Sequence, residues 1–383
     1  MPALIRSRSA VVACVTLATV TDLMAYSVVV PILPDYTSRF GAGPTTIGLL
    51  FASFGLTLLA LSLPMGAISD RLGRRGPMMA ALALLAISTS LFAYAGSLAA
   101  LFAARMLQGV ADAVTWVVGL AIVADLYGPD ERGRIMGLVM SGTGFGLIVG
   151  PSLGGWLYEI GGARLPFLLV AALAVVDLAA FAVVAPDHRS AGVQVSIRRV
   201  LAVRGVALCA VAVVAGAATV SMLEPVLPLF LGSRLGLGPA AIGTLFGVAA
   251  LASSLVHPIY GRLSDRWGGW RLMIAGLVLS GLMLPVLNAA VGPRSAALCM
   301  VLMWAASSLV VTPSLAFMAE AASSAGLESH GVVYGAYNVA WAVGIMAGPA
   351  AGGFLLGRIG FGPLSVWWAA ALFATALILA RSR

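Results

Sequence analysis

The stretch Gly66-Ala-Ile-Ser-Asp70-Arg71-Leu-Gly73-Arg74-Arg75 lies between two long apolar segments and holds one carboxylate, three arginines and two glycines. Its pattern returns 195 residues later as Gly261-Arg-Leu-Ser-Asp265-Arg266-Trp-Gly268. A repeat at about half the chain length predicts that the molecule contains two copies of one structural unit.

The repeat extends beyond these two stretches. Seven further residues recur at the same spacing, and they are Arg39, Gly41, Gly43, Pro44, Ile47, Gly48 and Phe51. Internal repeats in a membrane protein are typical of transporters built from two halves around a central path. The alternative is a duplication without mechanistic consequence.

Composition places the chain in a membrane. Apolar residues make up 61% of the chain, charged residues 9%, and the mean hydropathy is +1.04, whereas a soluble domain carries about 25% charged residues. Apolar runs of about 20 residues predict spanning helices, because barrel strands would alternate polar and apolar residues. The sequence has no nucleotide-binding loop, catalytic triad or metal-ligand spacing, so we expect no enzyme, cofactor or metal site.

Twelve apolar windows are bounded by glycine, proline and charged residues. They predict an all-α membrane protein with twelve transmembrane helices in two six-helix, pseudo-symmetric halves. The halves cover residues 1–185 and 204–383, and a cytoplasmic linker covers 186–203. The predicted spans are 10–34, 45–69, 76–96, 98–126, 133–158, 165–185, 204–231, 239–263, 271–290, 295–321, 331–356 and 361–380.

The arginines indicate the orientation. Every basic residue is an arginine, and the formal charge is +8. With both termini cytoplasmic, sixteen arginines fall in inner segments and five in outer segments, while Arg105 lies inside a span. This positive-inside bias predicts cytoplasmic N and C termini. Arginines placed in this way indicate topology, so we expect no nucleic-acid partner.

The two repeated stretches fall in cytoplasmic loops, where glycine permits tight turns. An Asp there can accept hydrogen bonds from open N–H groups at a helix start, and an Arg can reach a carboxylate on a neighbouring helix end. Asp125 and Glu320, again 195 residues apart, are the candidate partners. We interpret the set as inner-side locks between helices rather than as plain topology signals. Its members are Gly66, Asp70, Arg71, Arg74, Asp125, Asp265, Arg266 and Glu320.

Predicted spans five and eleven share the pattern Gly-Pro-x-x-Gly-Gly. Small residues four apart let helices approach closely, and proline bends a helix. The pattern predicts a helix-packing motif at matching places in the two halves, whereas general small-residue packing is the less specific interpretation. The motif residues are Gly146, Gly150, Pro151, Gly154, Gly348 and Pro349.

These motifs resemble those of the major facilitator superfamily along nearly the whole chain. Gly66–Arg75 resembles its loop 2–3 signature, Arg105-Met-Leu-Gln108-Gly109 its fourth-span motif, and Gly146–Gly155 the fifth-span motif of its antiporters. The resemblance implies the twelve-span drug:proton antiporter branch, and with it multidrug or amine efflux.

A closer similarity is to the vesicular monoamine transporters of that branch. Asp22 followed by Val28-Val-Val-Pro-Ile-Leu-Pro34 resembles their first span, and Met222-Leu-Glu224-Pro-Val-Leu-Pro228 resembles their seventh. The chain differs where that family has intramembrane charges, and the residues at those positions are Phe54, Ser308 and Asn338. The differences favour a bacterial relative that exports amine-like or drug-like compounds.

Carboxylates within spans are functional candidates because they are costly in a membrane. Four occur, at Asp22, Asp112, Asp177 and Glu224. A buried carboxyl group binds a proton more readily, and a cationic substrate displaces that proton. We therefore predict that Asp22, Asp112 and Glu224 couple protons, with Arg105 tuning the site by bonding carbonyls or an acid of span one. A buried acid satisfied by a neighbour is the alternative.

Aromatic and polar residues at helical spacing complete the predicted substrate site. Ring faces near carboxylates attract cations, although aromatic residues in helices more often serve packing. The predicted substrate-binding residues are Asp22, Tyr26, Trp116, Glu224, Tyr334, Asn338 and Trp341.

The sequence therefore predicts a proton-coupled antiporter that exports lipophilic, cationic or aromatic small molecules by alternating access. A proton-coupled uptake symporter for a sugar or organic acid is the alternative, and a membrane sensor is a third. We expect the proton gradient as the energy source, with protons, a small-molecule substrate and the lipid bilayer as partners. The expected protein is a monomer in the bacterial cytoplasmic membrane.

Overall fold

A computed structural model describes residues 8–184, 201–326 and 330–382. These residues form thirteen α-helices and no strand. The helices are α1 (Arg8–Ser27), α2 (Leu33–Phe40), α3 (Pro44–Leu72), α4 (Arg75–Tyr94), α5 (Leu98–Leu126), α6 (Pro129–Gly161), α7 (Arg164–Val184), α8 (Arg204–Leu235), α9 (Pro239–Trp267), α10 (Gly269–Val286), α11 (Pro293–Ser324), α12 (His330–Ile359) and α13 (Phe361–Arg381).

Twelve helical segments in the described residues are long and apolar enough to cross a membrane. Helices suit this setting because they satisfy every backbone N–H and C=O group within the segment. The chain is therefore a multi-pass, all-α membrane protein, as the apolar windows predict. Residues 185–200, which contain most of the predicted linker, lie outside the described part.

The first predicted span is interrupted. We predicted one helix over 10–34, but α1 ends at Ser27, and a 3₁₀ turn at Val30–Ile32 leads into the short helix α2. Pro31 and Pro34 lack the N–H that would continue the α-helix. The last carbonyls of α1 are consequently left for other donors.

The glycines of the repeat lie at left-handed turns. Gly41 and Gly236 have φ angles of 63° and 64°, and Gly73 and Gly268 have φ angles of 87° and 85°. Residues with a Cβ rarely adopt these angles. The duplicated glycines are therefore explained by backbone geometry at matching turns.

The described residues form two compact units. The first comprises the described residues within Met1–Ile32, Leu56–Val193 and Gly238–Gly247, and the second those within Leu33–Gly55, Gln194–Leu237 and Val248–Arg383. The units are defined by contacts, whereas the predicted halves follow the duplication. They differ from those halves in the two segments 33–55 and 238–247.

Each unit has its own apolar core. In the first unit, buried residues such as Val15, Leu82 and Val118 bring together α1, α4 and α5. In the second, Met273, Val310 and Ala336 bring together α10, α11 and α12. The inner faces of the helices carry the few polar side chains described below.

In the first unit, glycines of α6 form its contact with α1. A Cβ on Gly146 would meet the carbonyl oxygen of Val20, and a Cβ on Gly154 would overlap that of Val28. Gly155 contacts a different helix, since a Cβ added there would overlap the carbonyl oxygen of Pro239 at the start of α9. One short motif therefore serves two helix crossings.

The second unit contains the matching crossings. A Cβ on Gly348 would overlap the carbonyl oxygen of Ala218 in α8, and a Cβ on Gly353 would meet that of Pro44 in α3. Pro44 and Pro239 are the repeat partners found in the sequence. Close approach of backbones is how small residues hold helices together in a bilayer, where the hydrophobic effect contributes little.

The crossing of α1 with α6 predicts a steric cost. Gly154→Ala should destabilise the purified protein by about 1–3 kcal/mol, because its methyl group overlaps a backbone carbonyl that cannot move alone. Gly137→Ala is the matched control on the same helix, since nothing lies within 4 Å of its Cβ position. Thermal unfolding in detergent measures both. Equal melting temperatures would contradict the close crossing.

Candidate functional site

The first unit buries two carboxyl groups side by side. Asp22 of α1 is 2% exposed and Asp112 of α5 is 5% exposed, and their carboxyl groups lie close enough to hydrogen-bond to each other. A carboxylate has only acceptor atoms, so a hydrogen bond between two carboxyl groups requires that one of them carries a proton. The pair is therefore a site that can hold one proton inside the membrane span.

Trp116 lies one turn after Asp112 on α5, and its side chain hydrogen-bonds to that carboxyl group. The indole has one N–H and no acceptor, so Trp116 is the donor. The indole N–H of Trp116 thus contacts the acid pair. We had predicted instead that the face of the Trp116 ring contacts a cationic substrate.

Arg105 is fully buried and holds the end of α1. It donates hydrogen bonds to the Tyr26 carbonyl oxygen and to Gln108 Oε1, both at 3.0 Å. Gln108 Nε2 in turn lies 3.4 Å from the Ala25 carbonyl oxygen. These carbonyls belong to the last turn of α1, where the helix has no partners for them and its dipole is negative.

The Tyr26 ring faces Arg105 in this structure. The guanidinium carbon of Arg105 lies 5.0 Å from the centroid of the Tyr26 ring and 5.8 Å from that of Phe92. Tyr26 is 7% exposed. The Tyr26 ring, which we predicted to bind a cationic substrate, therefore contacts the cationic side chain of Arg105. The contact of Arg105 with a carbonyl of span one is of the kind we predicted.

The remaining predicted substrate residues belong to the second unit. Glu224 is half-buried in α8, directly before Pro225, and Asn338 and Trp341 are half-buried in α12. The Trp341 ring stacks on Tyr337, with centroids 6.2 Å apart. The spacing of four residues between Tyr337 and Trp341 could have predicted this pair. The side chain of Tyr334 lies outside the described residues.

The predicted inner-side lock of the first repeat is built around Arg74. Its Nε lies 3.0 Å from Asp125 Oδ2, and its Nη1 lies 2.6 Å from Ser69 Oγ. Arg74 is 6% exposed. Arg71 is exposed, whereas the burial of Gly66 and the side chain of Asp70 lie outside what the structure describes.

The second repeat does not form the corresponding ion pair. Asp265, Arg266 and Glu320 are exposed, and among the described side chains none of them forms an ion pair. The reason lies in the sequence, because the position 195 residues after Arg74 is Gly269. The prediction that Glu320 pairs with an arginine of its repeat is therefore corrected, because that repeat has a glycine where the first repeat has Arg74, the partner of Asp125.

No group of three or more potential metal ligands occurs among the described His, Cys, Asp and Glu residues.

The difference between the repeats predicts unequal effects of neutralisation. Asp125→Asn should lower stability by about 1.5–3 kcal/mol, because the buried Arg74 loses a charged hydrogen-bond partner. Glu320→Gln, the repeat counterpart, should change it by less than about 0.5 kcal/mol. Melting temperatures in detergent compare the two variants. A larger loss for Glu320→Gln would contradict this assignment.

Twelve membrane-spanning helices in a duplicated arrangement, with carboxyl groups buried inside the spans, define a polytopic membrane transporter. A sequence profile of the Major Facilitator Superfamily matches residues 15–349. The chain belongs to this family, which consists of transporters and not of enzymes.

Several relatives handle amines. The chain is 31% identical over 325 residues to the chromaffin granule amine transporter of Rattus norvegicus, a match that covers 82% of this chain and 61% of that protein. It is 30% identical over 402 residues to the probable vesicular acetylcholine transporter-B of Danio rerio, covering 98% and 80%. The chain spans about three fifths of the length of the amine transporters that it matches.

Solved structures share the fold. A bacterial homolog of the human lysosomal transporter Spinster, in an inward-facing and occupied conformation, matches with a TM-score of 0.80 at 17% identity and covers 98% of this chain and 97% of its own. The human organic anion transporter MFSD10 matches with a TM-score of 0.72 at 20% identity, covering 97% and 99%. At these identities the likeness shows the fold alone.

Proposed function

We propose that the protein is a proton-coupled antiporter that exports lipophilic cationic or aromatic small molecules, amines above all, by alternating access. The observation that carries the proposal is the close approach of the two buried carboxyl groups of Asp22 and Asp112. It creates a place for one exchangeable proton within the first unit, and the proton gradient is then the energy source. Relatives named for amine transport support the substrate class.

Competition for the carboxyl pair couples the two fluxes. With its proton, the pair carries one negative charge instead of two, which lowers the cost of burying it in a medium of low dielectric constant. A cationic substrate nearby favours the ionised pair and drives the proton off. Proton binding from the opposite side then favours release of the cation, and this exchange is antiport.

The charges in the spans favour a cation over an anion. An anionic substrate needs a positive group at the site, and Arg105 is engaged with the Tyr26 carbonyl, Gln108 and two aromatic rings. The carboxyl groups of Asp22, Asp112 and Glu224, in contrast, offer negative charge. We place the protein in the cytoplasmic membrane of a bacterium, where such exchange removes drugs or amines from the cell.

The test uses purified protein in liposomes with an imposed pH gradient and an enclosed pH-sensitive dye. A panel of lipophilic amines and neutral drugs is added to acid-loaded vesicles. Antiport predicts that an amine releases protons from the vesicles. Proton movement in the same direction as the substrate would instead establish the uptake symporter and contradict the proposal.

The two acids should differ when neutralised. Asp112→Asn should abolish amine-driven proton release, because the amide can hydrogen-bond to Asp22 without an exchangeable proton, yet it should retain amine–amine exchange. Asp22→Asn should lose both activities. Asp177→Asn is the matched control, a carboxyl group equally buried at 2% exposure, and should retain both. Full proton coupling in Asp112→Asn would rule out the pair as the proton site.

Glu224 gives an independent prediction for the second unit. Glu224→Gln should lose uphill export and its dependence on pH, because we assign this carboxyl group to proton coupling and to the substrate cation. Accumulation of a fluorescent amine against its gradient is the measurement, with Glu159→Gln as a control carboxyl group that lies exposed at the end of α6. Export of wild-type strength by Glu224→Gln would remove Glu224 from the site.

A further inference from the structure

A polar cluster joins α9 and α11 in the second unit, apart from the residues assigned above. His257 Nδ1 lies 2.6 Å from Thr312 Oγ1, and His257 Nε2 lies 3.4 Å from Ser253 Oγ. Ser253 Oγ lies 2.7 Å from Ser308 Oγ. Ser308 is 3% exposed, and the other three are half-buried. The cluster is thus a chain of hydrogen bonds with a titratable ring at one end.

The donors on α11 can be assigned because each hydroxyl has a single hydrogen. Thr312 Oγ1 donates to the Ser308 carbonyl oxygen at 2.7 Å, and Ser308 Oγ donates to the Trp304 carbonyl oxygen at 2.9 Å. Both hydroxyls have therefore used their hydrogens. Thr312 must accept from His257 Nδ1, and Ser308 must accept from Ser253.

The assignment leaves one contact to explain. Ser253 uses its only hydrogen towards Ser308, so only a lone pair of Ser253 faces His257 Nε2. The contact is a hydrogen bond only if Nε2 also carries a hydrogen. Both ring nitrogens then donate, which is the imidazolium form of histidine.

The neutral ring requires a different arrangement. Nε2 is then an acceptor, and Ser253 must donate to it. Ser308 keeps its contact with Ser253 only by turning its own hydrogen towards Ser253, which gives up its bond to the Trp304 carbonyl. The protonation state of His257 therefore decides which way the hydroxyls of Ser253 and Ser308 point.

The surroundings of the ring are uncharged. From α11 it meets the hydroxyl of Thr312, and from its own helix that of Ser253; no charged side chain among the described residues interacts with it. The titratable or charged residues elsewhere on these two helices are Tyr260, Arg262, Asp265, Arg266, Arg294, Cys299 and Glu320. Among the described residues, no fixed countercharge therefore stabilises the protonated ring.

We propose that His257 is a proton-binding site of the second unit, and that its proton sets the direction of the hydrogen bond between Ser253 and Ser308. The site lies on helices other than those that carry the Asp22–Asp112 pair. A role of His257 in transport rests on the proposed proton-coupled function. Proton binding by His257 does not depend on that function. The site gives the second unit a response to pH at Ser308, a buried position on α11.

Proton binding can be measured without transport. The chain has three histidines, so nitrogen NMR of protein labelled at histidine gives few signals, and His257→Gln assigns the signal of His257. The ring should pass from two protonated nitrogens to one as the pH is raised across the range in which the protein stays folded. A ring that stays neutral over this range would overturn the proposal.

Two serines on α9 provide a matched comparison. Ser253→Ala removes the hydroxyl facing Nε2 and should shift the titration midpoint of His257. Ser254→Ala, whose hydroxyl donates to the Ala250 carbonyl oxygen at 3.0 Å, should leave it unchanged. Equal midpoints for both variants would exclude the hydrogen-bond chain. The comparison requires only that both variants are folded. Unchanged signals from the other two histidines would show this.

Transport in liposomes then separates the two proposals. If the wild type releases protons on adding an amine, His257→Gln should lower by about one the slope of the logarithm of the rate against pH, while Ser254→Ala keeps the wild-type slope. An unchanged slope for His257→Gln would contradict a role in coupling. If the wild type moves no protons, the proposed function fails, and the NMR titration still decides whether His257 binds a proton.

Discussion

The cost of burying a carboxyl group inside a membrane span is the constraint on which the first unit depends. An ionised carboxylate away from water is strongly unfavourable unless it is paired. Asp22 and Asp112 meet this constraint together, because a hydrogen bond between them keeps one proton and spreads the remaining charge. A side chain that must hold a proton to be stable in the membrane, and can lose it when a cation arrives, is suited to coupling.

The position of α1 is what brings these acids together. Glycines of α6 let the two backbones touch along the length of α1. At the end of α1, Pro31 ends the regular helix, and Arg105 and Gln108 take up the carbonyls that the break releases. Close packing along the helix, together with the donors Arg105 and Gln108 at its end, therefore fixes the position of Asp22 on α1. The strictest requirements in the unit are set by backbone atoms rather than by side-chain shape.

Those backbone requirements explain what the sequence could predict. Span number, the duplicated turns and the glycine crossings depend on hydropathy and on residues without a Cβ, and both are visible in a single chain. The partner of Asp22 depends on how each helix is rotated about its axis, which a single sequence does not specify. The unpaired Glu320 is a different case, because aligning the repeats residue by residue shows Gly269 where Arg74 would be needed.

The two copies agree in their backbone and differ in their chemistry. Turns and crossings recur, yet the positions 195 residues after Asp22 and Asp112 are Ala217 and Ser307, and the position 195 residues before His257 is Ser62. A symmetric set of acids would give the cation and the proton two equivalent sites. The two ions could then bind at different sites without competing. Because each copy has different titratable groups, neither copy contains a second, equivalent site for the same proton. Duplication thus accounts for the shared backbone, and these titratable groups lie at positions where the two copies differ.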